Sequence, residues 1–179
     1  MAGDSRTTLL ATTTGSMWLV WAVDLVVPGR IGHGIVPRTA YGLTGIVMAP
    51  FLHANVQHLL ANTIPFVLLG AIILLRGAET FTFVLLLSAA IAGLGTWLFG
   101  TPNTQHIGAS GIVFGFFGYL LVRAVYDRRI SSALIAIVIA VLYGATLLSS
   151  LVPAAGVSWS GHVFGFLGGA LAARVRYRR

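Results

Sequence analysis

Four polar side chains stand within otherwise apolar stretches of the chain: His58, Asn62, Ser110 and His162. A hydroxyl beside an imidazole is a nucleophile-and-base pair, because a neutral ring nitrogen can take the hydroxyl proton during attack on a carbonyl. His58 and Asn62 are four residues apart and share one face of a helix. Ser110 lies in Gly108-Ala109-Ser110-Gly111, where the glycines allow a tight turn and a close backbone approach. Gly111, Gly115 and Gly118 line one side of the segment that follows, and His162 is followed by Gly165 and Gly169, with Gly161 and Gly168 beside them. Small residues at such spacing let two helix backbones pack closely in lipid. Packed through these faces, the two segments bring Ser110 and His162 to a hydrogen-bond distance of about 3 Å.

Each residue also has a plainer reading. A serine in a span commonly bonds back to its own helix, and glycine rows occur in many transporters and channels. A lone histidine in a span serves packing or proton relay as readily as catalysis. The combination of all four residues favours catalysis. His53 and His106 are further candidates near the same surface, and His33 reads as a solvated loop residue. A zinc centre built from His53, His58, His106 and His162 would lack a His-Glu-x-x-His helix and any nearby carboxylate, so neither metal nor cofactor is expected. The acidic residues are Asp4, Asp24, Glu79 and Asp127, and only Asp24 falls on the side of the serine. A Ser-His dyad is therefore more economical than a triad, with Asp24 left to a structural or interfacial role.

The elements that must position these groups follow from composition. Of 179 residues, 57% are apolar and 8% charged, and the mean hydropathy is +0.92. A soluble domain of this length needs more charge, so the bilayer is the natural solvent. Cysteine is absent, which excludes disulfides and thiol chemistry. The net charge of +7 comes from eleven arginines at the ends of apolar runs, a pattern of topology marking and not of nucleic-acid binding. No small-residue cleavage site follows Val27, so a signal peptide is not expected.

Six apolar segments predict six spans, at about residues 9–27, 54–75, 81–99, 109–125, 133–151 and 161–175. The first is the weakest, and the fifth ends at Val152-Pro153, a helix stop. With both termini cytoplasmic, nine arginines (Arg6, Arg76, Arg123, Arg128, Arg129, Arg174, Arg176, Arg178 and Arg179) lie inside and only Arg30 and Arg38 outside. The positive-inside bias selects this orientation. Spans two, four and six then start on the outer side and carry His58 and Asn62, Ser110, and His162 to one membrane face. The segment from about residue 28 to 52 carries too little charge for a solvated loop and is expected to lie partly in the interface. The whole is expected to be an all-α, six-helix membrane domain over residues 1–179, with short cytoplasmic tails at about 1–8 and 174–179.

These residues resemble the rhomboid intramembrane serine proteases. The match lies in His53-Ala-Asn-Val-Gln-His58-Leu-Leu-Ala-Asn62, in Gly108-Ala-Ser110-Gly, and in Gly161-His162-Val-Phe-Gly165-Phe-Leu-Gly-Gly169, in the family's order and on the expected spans. The six-span minimal architecture agrees, so the likeness runs from about residue 15 onward. The resemblance implies Ser110 as nucleophile, His162 as general base, and His58, Asn62 and the Ser110 N–H as an oxyanion hole. It implies that Phe114 packs on the base, that the first loop is embedded in the membrane, and that span five is the mobile neighbour of an entering substrate. Gly108, Gly111, Gly165 and Gly169 would support the site. The implied activity is cleavage of single-span membrane proteins near their outer ends, in a bacterial cytoplasmic membrane, with the site open to the outer side. The chain departs from the family in lacking the Trp-Arg pair of the first loop, where Arg38 follows Pro37, and in carrying Gly161 where alanine is common. The other readings are a rhomboid-like protein that binds membrane clients without cutting them, and a small transporter.

Overall fold

The computed structural model describes residues 2–29, 31–150, 152, 154 and 156–177. Its helices are α1 (Ala2–Val26), α2 (Ala40–Met48), α3 (Val56–Leu74), α4 (Ala78–Phe99), α5 (Ser110–Asp127), α6 (Ile130–Ser150) and α7 (Trp159–Tyr177), with a 3-10 turn at Ala49–Phe51. Apart from one isolated bridge between Ile35 and His106, the described residues are helix and loop, an all-α bundle as expected. Six of the helices occupy the six apolar segments. Among the described residues, α1 from Arg6 onward, α3, α4 and α5 are long and apolar enough by themselves to cross a membrane. α7 is diluted by glycine and by Arg174 and Arg176.

α3 to α7 begin and end within three residues of the expected spans, and α1 departs further at its start. α1 begins at Ala2, inside the stretch expected to be a tail. Thr13 is accommodated by bonding back to the helix, its Oγ1 donating to the Leu9 carbonyl at 2.9 Å. α7 runs from Trp159 to Tyr177 and so reaches beyond the expected last span at both ends. The expected stop at Pro153 lies outside the described residues, as do Arg30, Arg178 and Arg179.

The outward surface is apolar, with Leu68, Leu86, Leu94 and Val141 exposed, as lipid-facing helices require. The interior holds Phe66, Phe81 and Phe116 in mutual ring contact at 5.2, 5.5 and 6.5 Å. α7 packs most extensively against α5 and α4. At the α5–α7 crossing a Cβ on Gly165 would strike the Gly111 carbonyl, and one on Gly169 would strike the Gly115 carbonyl. The backbones touch there, so only glycine fits.

The end of the bundle opposite Ser110 carries the charges. The Asp127 carboxylate meets Arg76, and also Arg123 at 3.1 Å and Arg129 at 3.3 Å, while Ser132 donates to it at 2.6 Å. Arg176 pairs with Glu79 at 2.9 Å, tying α7 to the start of α4. At the Ser110 end, the first loop is anchored on α4. Arg38 N–H donates to the Trp97 carbonyl at 2.9 Å, its guanidinium to the Leu98 carbonyl at 2.7 Å, and the Trp97 indole to the Thr39 carbonyl at 2.8 Å. A tryptophan and an arginine thus secure this loop, drawn from two segments and not from one.

Candidate active site

Gly108 adopts φ +105°, a conformation that costs an L side chain, and turns the chain so that α5 opens at Ser110. The Gly108 N–H donates to the Ala49 carbonyl at 2.7 Å, fixing this turn against the first loop. Ser110 Oγ then lies 2.9 Å from His162 Nε2. The hydroxyl reaches across to α7, which sets aside the plainer reading of a serine bonded to its own helix.

The second ring nitrogen decides the tautomer. His162 Nδ1 lies 2.9 Å from the Ser150 carbonyl oxygen at the end of α6. A carbonyl only accepts, so Nδ1 carries the hydrogen and Nε2 is left as an acceptor facing the Ser110 hydroxyl. The Phe114 ring stacks on the imidazole, with centroids 4.1 Å apart and planes 3° apart. His162 is therefore held on one face by an aromatic ring and on one edge by a backbone carbonyl. Asp24 is elsewhere, accepting the Gly29 N–H at 3.1 Å on the surface.

α3 brings its two polar residues to the same turn. Asn55 caps the helix, its Oδ1 accepting the His58 N–H at 2.8 Å. A Cβ on Gly108 would lie 2.6 Å from His58 Nε2 and 3.5 Å from Asn62 Nδ2, so both side chains border the serine loop. Asn62 is buried, and its amide donates to the His58 carbonyl at 2.9 Å, which sets its orientation.

A rhomboid domain model matches residues 41–179. The chain belongs to the rhomboid family. An uncharacterized protein of Mycobacterium tuberculosis is 38% identical over 93% of this chain and 73% of its own length. One from Mycobacterium leprae is 42% identical over 73% of this chain and 55% of its own. YdcA of Bacillus subtilis, provisionally named a rhomboid protease, is 32% identical over 67% of this chain and 60% of its own. With this family and its apolar helices, the chain is a multi-pass integral membrane protein.

Within this rhomboid the remaining histidines have distinct places. His53 is buried with its ring edge-on to His58 at 5.1 Å, and its Nδ1 donates to the Phe51 carbonyl at 3.2 Å. Burial, with His58 beside it, pushes its pKa down to about 4. His106 hydrogen-bonds to Thr104 and Ser158. His33, expected to be solvated, is half-buried, stacked on Tyr41 and bonded to Thr44 at 3.0 Å. Its ring offers a flat apolar face that the tyrosine covers.

A cavity of about 340 Å³ opens beside the serine, lined by Asn62, Ser110, Phe114, Leu142, Tyr143 and Thr146 among others. It lies between α3, α5 and α6. Two contributors were not legible in the sequence. The Ser150 carbonyl carries no residue-type signal. Ser158 precedes His162 by the same four residues that separate His106 from Ser110, a spacing that marks it once the two segments are known to meet.

Proposed function

We propose that this rhomboid is an intramembrane serine endopeptidase that cuts single-span membrane proteins in or near their spans, with Ser110 as nucleophile and His162 as base. The observation that carries this is the 2.9 Å contact from Ser110 Oγ to His162 Nε2, together with the commitment of Nδ1 to a carbonyl. His162 takes the hydroxyl proton as Ser110 attacks the scissile carbonyl. His58, Asn62 and the Ser110 N–H at the start of α5 stabilise the oxyanion, an effect of about 3–4 kcal/mol per donor in serine hydrolases. The protonated His162 returns its proton to the leaving amine, and water, deprotonated by His162, releases the acyl group from Ser110.

The cavity between α3, α5 and α6 supports entry of an extended segment from the lipid side. A substrate helix must unwind before its carbonyls can be attacked, because every one is already hydrogen-bonded. The arginines at the far end support cytoplasmic termini in a bacterial cytoplasmic membrane and a site open to the outer face. The matched residues and α1, which packs against α3, act on this reading as one membrane domain.

Ser110→Ala tests it. The variant should fold as wild type does, judged by thermal unfolding in detergent, and should not cleave a model single-span substrate. Retained cleavage excludes the proposal.

A further inference from the structure

His106 lies four residues before Ser110 and is buried among groups from three parts of the chain. Its backbone pairs with Ile35 of the first loop in both directions, each bond 2.9 Å. Its ring Nδ1 lies 2.8 Å from Ser158 Oγ, just before α7, and its Nε2 lies 2.9 Å from Thr104 Oγ1. The Ser158 carbonyl in turn accepts the His162 N–H at 3.1 Å and so begins α7.

The proton positions follow from these contacts. Thr104 Oγ1 lies 2.6 Å from the Thr101 carbonyl, which cannot donate, so the threonine hydrogen sits between those two oxygens. Thr104 Oγ1 must then accept from His106 Nε2, which carries the ring hydrogen. Nδ1 is left as an acceptor and takes the Ser158 hydroxyl hydrogen. One neutral ring thus completes a chain from Ser158 to His106 to Thr104 to the Thr101 carbonyl, in which every hydrogen has an acceptor. Burial lowers the pKa of His106, which favours this neutral form.

We propose that His106 is a positioning residue: through the Ser158 hydroxyl it fastens the first turn of α7 to the serine loop and so fixes the distance between His162 and Ser110. Lower in the bundle that distance is set by glycine contacts between α5 and α7. At the outer end a Cβ on Gly111 would still stand 3.2 Å from the Gly161 carbonyl, and the His106–Ser158 bond adds a side-chain tie between the segments that lead into nucleophile and base. A misplacement of 1 Å at a reacting pair can cost about 10²-fold in rate, so one bond at this point has kinetic weight. The inference rests on the serine-protease reading.

Two substitutions separate the Ser158 tie from a role confined to the loop. His106→Asn keeps an acceptor near the place of Nδ1 and gives up the bond to Thr104. His106→Gln places its amide near Nε2, keeps the Thr104 bond and gives up the acceptor for Ser158. The readouts are the rate of fluorophosphonate labelling at Ser110 and the kcat and KM for a single-span substrate, with thermal unfolding recorded for each variant. His106→Gln and Ser158→Ala should each lower labelling and kcat by about 10- to 100-fold with KM unchanged. Their combination should cost no more than either alone, and His106→Asn should stay within about 3-fold of wild type, a small fraction of a misplacement loss. Equal losses in the Asn and Gln variants, additive losses in the double variant, or an inert Ser158→Ala overturn the inference while leaving the protease reading intact. A wild type that is not labelled at Ser110 overturns both.

Discussion

Asn62 is held by a bond from its own amide to the His58 carbonyl and lines the cavity beside Ser110. An oxyanion donor acts on the transition state far more than on the bound substrate. On the proposed oxyanion role, Asn62→Ala should lower kcat by about 10²–10³-fold with little change in KM. Steady-state kinetics on a membrane substrate would show this, and a rise in KM at constant kcat would assign Asn62 to substrate binding instead. His58 and Asn62 were legible as a pair because two polar groups four residues apart in an apolar helix are costly without a use. The bond between His106 and Ser158 was not legible, because the two residues are distant in sequence.

At the scale of helices, the site depends on how closely α5 and α7 approach. A Cβ on Gly169 would meet the Gly115 carbonyl, and backbone cannot yield as a flexible side chain can. Gly169→Val should cost about 1–3 kcal/mol through overpacking and should also slow labelling of Ser110, since the helices must part. Gly144 in α6 has nothing within 4 Å of an added Cβ, so Gly144→Ala should be neutral or stabilising by up to about 1 kcal/mol. Thermal unfolding in detergent compares the two, and equal stabilities would contradict the close crossing. The glycine rows foretold this contact because small residues at helical spacing have few other uses in lipid. The contacts made by carbonyls, Ser150 to His162 and Trp97 to Arg38, could not be read from residue types, because every residue carries that group. α6 has a further part, since its last turn bonds to the His162 ring while one of its faces lines the cavity.

For the molecule as a whole, six apolar segments and the gathering of polar groups at one end were legible, because lipid admits few charges and satisfies no backbone groups. The early start of α1 was not, because threonines can be served by their own helix. The buried histidines in the loops give the fold a pH dependence. The folded pKa of His53 is about 4, whereas an unfolded histidine titrates near 6.5. Between these values the unfolded chain binds the proton and the folded chain does not, so stability is fully present above about pH 6.5 and declines as pH falls toward 4. Chemical or thermal unfolding across this window should show that slope, and His53→Asn should flatten part of it. An unchanged slope in the variant would contradict the buried, neutral His53.

The proposed activation of the Ser110 hydroxyl can be interrogated without any natural substrate. A fluorophosphonate probe applied to the folded protein in detergent should modify Ser110 in the wild type and leave His162→Ala unmodified, since without the imidazole the hydroxyl keeps its proton. Equal modification of the two proteins would contradict the Ser110–His162 pair as the source of reactivity.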